Sequence, residues 1–292
     1  MRYATRIRID YRFAAPTGEG RQLLRLIPQE IAGVQRVIRA AVSVAPEAAD
    51  VAEFTDFFGN RVTEVALPGG HKVVRYTAEA EVERLAPLTA RGAVALARLG
   101  EEIAAVRGLG PSVPHHFRGP SPRIPAVAAI TEFARGAMAG VGTALDAVVA
   151  FGEAIHGEMT FDAEATTVET SAEEAFVRRI GVCQDFAQIM IAGLRGAGVP
   201  AAYVSGLIRT VPPKGQARLE GADAMHAWVA AWCGRDCGWV EYDPTNACVV
   251  GADHVVIARG RDYGDVAPVA GILRMAGAQT SGHAVDVVPL DA

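Results

Sequence analysis

The chain has 292 residues, 50% of them hydrophobic and 21% charged, with a formal net charge of −5. That composition excludes a disordered chain, and its acidic balance points away from a nucleic-acid partner. Four cysteines are too few for a disulfide framework. No run reaches the ~18 apolar residues of a membrane span. The N-terminus interleaves Arg6, Arg8 and Arg12 with apolar residues and lacks a signal-peptide core. The expectation is a soluble, cytoplasmic protein with no membrane partner and two domains, since domains run to roughly 100–200 residues.

Residues 1–90 read as an antiparallel β-sandwich. Ile7, Ile9, Tyr11 and Phe13 alternate with Arg6, Arg8, Asp10 and Arg12, and Val74, Tyr76, Ala78, Ala80 and Val82 alternate with Arg75, Thr77, Glu79, Glu81 and Glu83. That is the period of half-buried strands. Turn residues, among them Gly59-Asn60 and Pro68-Gly69-Gly70, separate these runs. The Glu79/Glu81/Glu83 row is expected to be a solvated strand face. Residues 91–122 read as a linker in which His115-His116 is solvent-exposed and carries no metal signature.

From 123 to 292 the pattern becomes that of an α+β domain. Leu145, Val148, Val149, Gly152 and Ile155 mark one helix face. Ser171 and Glu174 begin a second helix, and a third starts near Cys183 and stops at Gly196–Pro200. Strands follow over 201–209, 225–232 and 239–243, with a tail pair at 254–259 and 284–288. Helices before strands, without βαβ alternation, give α+β.

Three segments carry chemistry: Gly181-Val182-Cys183-Gln184-Asp185-Phe186, Met225-His226-Ala227-Trp228 and Tyr242-Asp243-Pro244-Thr245-Asn246. Cys183 falls in the first turn of its helix, where free N–H groups and the dipole favour a reactive thiolate. A hairpin turning at Gly234-Arg235 would set His226 opposite Asp243, with Cβ atoms about 5 Å apart. Asp243 could then hold one ring nitrogen while the other takes the Cys183 proton. That is the nucleophile, base and orienter logic of thiol acyl transfer. Trp228 shares the His226 face and is expected to shield the site from water. Asp185 is read as a helix N-terminal charge. In the same register Cys233 and Cys237 face opposite ways, which argues against a zinc clip; no metal or cofactor is expected. Gly140-Val141-Gly142 lacks the third glycine of a dinucleotide loop.

The three segments resemble the bacterial transglutaminase-like superfamily, with its Gly-Val-Cys-x-Asp-Phe-Ala, His-Ala-Trp and Asp-Pro-Thr-Asn blocks. Asp56-Phe57-Phe58-Gly59-Asn60, Asp253-His254 and Ala258-Arg259-Gly260-Arg261-Asp262-Tyr263 extend the resemblance over most of the chain. It implies an N-terminal β-sandwich followed by a papain-like core, with Cys183 as nucleophile, His226 as base and Asp243 as orienter. Papain-type proteases place an oxyanion-hole Gln six residues before the nucleophile; here Val177 stands there. The Cys183 backbone N–H is left as one donor, with the Gln184 side chain as the adjacent choice. The expected activity is thiol-dependent acyl transfer at a carboxamide of a peptide or protein, ending in hydrolysis. Amine transfer, as in a transglutaminase, and a non-catalytic binding scaffold are the alternatives. The loop at 211–223 is a possible gate to the cleft.

Overall fold

The computed structural model describes residues 1–85, 91–210, 221 and 223–290. The loop read as a gate therefore lies outside the described residues, apart from positions 221 and 223.

Six strands open the chain: β1 (Arg2–Phe13), β2 (Gly20–Leu24), β3 (Gln35–Ala45), β4 (Asp50–Thr55), β5 (Arg61–Leu67) and β6 (Val73–Arg84). The alternation behaves as read: Tyr3, Ile7, Ile9, Val74, Tyr76 and Val82 are buried on the inner face. The outer face carries cross-strand ion pairs. Glu79 meets Arg6, Glu81 meets Arg39 at 3.0 Å, and Glu83 meets Arg36 at 2.8 Å. The acidic row is thus matched by arginines on neighbouring strands, contacts that contribute little each at an exposed surface.

Residues 91–122 are not a free linker. Helix α1 (Leu99–Ala105) buries Leu99 and Ile103 in the main core. The backbone N–H of Val94 bonds the carbonyl of Cys233 at 3.0 Å, and the Trp239 indole donates to the Ser112 carbonyl at 2.9 Å. His115 is exposed, but His116 packs edge-on against Phe57 with ring centroids 5.1 Å apart.

The core then runs α2 (Ala128–Ala137), α3 (Ala144–Glu158), β7 (Thr160–Phe161), α4 (Ala172–Arg178), β8 (Ile180–Gly181) and α5 (Cys183–Gly196). It continues with β9 (Ala201–Ile208), β10 (Ala224–Trp232), β11 (Trp239–Asp243), β12 (Cys248–Val249), β13 (His254–Gly260) and α6 (Tyr263–Val266). Helix α5 is the axis, buried from Gln184 to Arg195. It lies between α2, α3 and α4 on one side and β9 and β10 on the other. Gly193 permits this closeness, since a Cβ there would overlap the Phe151 ring. The core sheet has the order β12-β11-β10-β9-β13.

The last two strands, β14 (Val269–Leu273) and β15 (Gln279–Pro289), leave the core. The N-terminal sheets have the orders β15-β1-β6-β3 and β14-β2-β5-β4, so the chain's end completes both. The residue pattern places 284–288 in the core, paired with 254–259, and marks no strand at 269–273. Instead β13 pairs with β9, and β15 pairs with β1 from Tyr3↔Pro289 to Phe13↔Gln279. The physical reason is the full-length match of β15 with β1, whose inner face Val285 and Val287 extend with complete burial.

Candidate active site

The site starts at the amino end of α5. Gly181 and Val182 lead in from β8, and the Asp185 carboxylate turns back to accept the Val182 N–H at 2.8 Å and the Thr166 hydroxyl at 2.5 Å. A Cβ on Gly181 would lie 2.6 Å from that carboxylate oxygen. The Gly-Val-Cys-x-Asp pattern is therefore one steric unit, a turn in which the buried acid caps the helix. Burial raises the Asp185 pKa, opposed by the Thr166 and Val182 bonds. Its structural reading holds. Cys183 follows at the first helical position, half-buried.

His226 and Asp243 meet by a different register from the one the sequence suggests. The pairs run from Val229↔Tyr242 to Trp232↔Trp239, which sets residue 228, not 226, beside 243. The turn is longer than two residues: Cys233 N–H bonds the Gly238 carbonyl at 2.9 Å and Gly238 N–H bonds Gly234 at 2.8 Å. Gly234 and Gly238 take the positive φ values of 115° and 72° that this loop requires. A slip of two residues keeps every side chain on its face. His226 therefore still reaches Asp243 diagonally, with Nε2 2.7 Å from Oδ2.

Asp243 is fixed by its own turn. Its Oδ1 accepts the backbone N–H groups of Thr245 and Asn246 at 2.9 and 3.2 Å. Its Oδ2 accepts the Asn246 amide at 2.6 Å besides His226. This is an Asx-type turn, and it explains why Asp-Pro-Thr-Asn acts as a block. A fifth donor is His254 at the start of β13, whose Nε2 lies 3.1 Å from Oδ2. Its only signal in the sequence was the Asp253-His254 pair, and no role followed from that.

Burial disfavours charge at Asp243, but the bonds from His226, His254 and Asn246 outweigh it and hold the carboxyl well below its usual range. Burial likewise works against a charged His226. The Asp243 bond and the neighbouring Cys183 thiol overcome it and push the pKa up to about 10. With Nε2 on Asp243, Nδ1 is the nitrogen left for Cys183.

Trp228 is fully buried, 6.1 Å from the His226 ring and 5.2 Å from the His254 ring between centroids. Its indole donates to Glu241 at 3.0 Å, and Glu241 is paired with Arg259. Gln184 turns its amide toward the Val168 carbonyl, 3.5 Å away. Val177 is exposed on α4.

Cys233 and Cys237 do not face opposite ways. The longer turn brings their thiols near each other, and burial first, then Cys237, raises the Cys233 pKa to about 12. Burial raises Cys237 and Cys248 as well. The ligand atoms of His226, Asp243 and His254 lie within 4.8 Å of one another, a spacing that would admit a metal ion. Both Asp243 oxygens are already occupied by N–H donors, so the trio reads as a hydrogen-bond network.

The chain matches the model of the transglutaminase-like superfamily over residues 131–244 and that of the bacterial transglutaminase-like N-terminal region over 3–83. An uncharacterized protein of Mycobacterium tuberculosis is 31% identical over 261 residues, covering 88% of this chain and 83% of the relative. The chain belongs to the transglutaminase-like superfamily. A second uncharacterized relative, from Mycobacterium leprae, is 37% identical over 148 residues, 49% of this chain and 50% of its own. The transglutaminase-like fold also superposes on the crystal structure of a candidate cysteine protease from Cytophaga hutchinsonii. That match has a TM-score of 0.78 at 22% identity and covers 100% of this chain and 91% of the other. At that identity the likeness speaks for the fold. Among the described residues of this transglutaminase-like protein, no helix is long and apolar enough to cross a membrane.

Proposed function

We propose that the protein is a cysteine-dependent acyl-transfer enzyme acting on a carboxamide of a peptide or protein, with Cys183 as nucleophile, His226 as general base and acid, and Asp243 as orienter. The observation that carries this is the buried His226–Asp243 pair at 2.7 Å, with the Cys183 thiol acting electrostatically on the same imidazole. The sulfur attacks the carbonyl carbon and a tetrahedral oxyanion forms beside the Cys183 N–H at the helix end. The C–N bond breaks as His226 gives its proton to the departing amine, leaving an acyl thioester. A nucleophile then surrenders a proton to His226, attacks the thioester and releases the thiol. We assign water as that nucleophile, since hydrolysis requires no second binding site. Four unpaired thiols suit a reducing compartment such as the cytoplasm.

The test is labelling of the full chain with a thiol-reactive acyl probe, followed by incubation with a Gln-containing peptide and a labelled amine. Wild type should label at Cys183, and Cys183→Ala and His226→Ala should lose at least ~10²-fold in labelling rate, the lower end of a general base's contribution. Equal labelling in all three would sink the assignment. Efficient incorporation of the amine would replace hydrolysis by transamidation.

A further inference from the structure

The chemistry above uses no residue of the N-terminal sandwich, yet four of its side chains converge on the segment that carries His254. Strand β13 is the edge of the core sheet, and an edge strand offers unpaired N–H and C=O groups. Here two side-chain amides fill them, joined at the Val256 carbonyl by the Gln29 backbone N–H at 3.0 Å. The Gln35 carboxamide takes both backbone groups of Val256, at 2.7 and 2.9 Å. The Asn60 carboxamide does the same at Arg259, with both bonds at 2.8 Å. Each amide behaves as a neighbouring peptide would. Upstream of His254, the Tyr3 hydroxyl bonds Asp253 at 2.9 Å and Arg84 reaches the Gly251 carbonyl at 3.3 Å. Asn60 is itself held by the Asp56 turn, through the backbone N–H and Nδ2 at 3.0 and 3.1 Å. The Asp56-Phe57-Phe58-Gly59-Asn60 motif thus presents one amide to β13.

His254 itself is 5% exposed. Its Nδ1 is buried without a hydrogen-bond partner, so the neutral ring carries its proton on Nε2, the nitrogen that meets Asp243. The ring also stands edge-on to Trp228. Asp243, whose Oδ2 the ring meets at 3.1 Å, is completely buried.

We infer that His254 is a positioning residue for the Cys183–His226–Asp243 set, and that the N-terminal sandwich is the clamp that holds it there. The inference rests on the acyl-transfer reading for its catalytic meaning. The physical argument is one of dielectric. An ion pair in a dry site is much stronger than one that water can screen, so removing the imidazole should weaken the hold of Asp243 on His226. The titratable groups facing His226 are Cys183 from α5, Asp243 from β11 and His254 from β13.

The experiment uses the full chain with isotope-labelled histidine, following His226 by NMR titration and Cys183 by its rate of alkylation with iodoacetamide at each pH. In His254→Ala, the His226 pKa should fall by about one unit or more, a tenfold weaker preference for the proton, and the alkylation profile should move with it. His254→Gln, which restores an N–H near the Nε2 position, should return both toward wild type. Asn60→Ala, far from the reacting atoms, should shift them in the same direction as His254→Ala. An unchanged His226 titration in folded His254→Ala would overturn the inference. So would a His254→Gln chain that behaves like a destabilised one, with no recovery of the titration. If wild type transferred no acyl group, the functional reading would fail, while the His226 titration would still decide the positioning role.

Discussion

Asp243 accepts five hydrogen bonds, two from histidines and three from its own turn. The distribution matters because a carboxylate locked by Thr245 and Asn246 cannot rotate to follow the imidazole. His226 must come to it, and its proton affinity becomes part of the folding energy. The folded pKa of about 10 lies above the ordinary 6.5. A raised pKa stabilises the fold fully below the unfolded value and loses that contribution as pH rises through the folded one. The thermal midpoint of wild type relative to His226→Gln should therefore be highest below about pH 6.5 and decline between pH 6.5 and 10. Gln keeps an N–H for Asp243 but does not titrate, so the difference isolates the proton. A difference that is flat across this window would refute the coupling.

At the scale of elements, the close approach of α3 to β11 sets how Asp243 is presented. Gly152 lies under Tyr242, and a methyl there would overlap the ring. Tyr242 is 1% exposed and precedes Asp243. Gly152→Ala should cost about 1–3 kcal/mol, the usual range for overpacking a core, read as a lower urea midpoint. It should also slow Cys183 labelling, because a ring pushed aside by the methyl would shift the end of β11 that carries Asp243. A variant as stable as wild type would mean the ring has room to turn. The same position shows what a sequence can disclose. Residues 145, 148, 149, 152 and 155 announced a helix face, since that period is local, but not which ring would lie upon it. The Cys183, His226 and Asp243 blocks were legible because each is a short turn or strand end with its own steric logic. The hairpin register was not, because it depends on a loop from Cys233 to Gly238 whose two left-handed glycines favour a longer turn. His254 was hidden for a related reason: its partner Asp243 is 11 residues away in sequence, on a strand that is not its sheet neighbour.

The whole molecule is a closed circuit. The chain leaves the N-terminal sheets at β6, builds the core and returns through β14 and β15 to finish both sheets. Strand alternation near the end could not reveal this, since pairing between residues 3 and 289 leaves no local trace. The return has a consequence for stability and for the site together. Strands β14 and β15 each close one edge, against β2 and β1, and β15 buries Val285 and Val287 completely. Removing residues 269–292 would open two edges and strip apolar cover from the face that holds Tyr3, Ile7 and Ile9. Full burial of a Val side chain stabilises by about 1.5–3 kcal/mol, so loss of these two alone rivals a substantial part of the ~5–15 kcal/mol that keeps a domain folded. The truncated chain should therefore lose the sandwich, and with it the grip of Gln35 and Asn60 on β13. The expected result is a lower thermal midpoint, faster aggregation through the exposed edges and slower alkylation of Cys183 in the remaining soluble fraction. A truncated chain that stayed monomeric, with the wild-type midpoint and Cys183 reactivity, would show that the returning strands serve neither the sandwich nor the site.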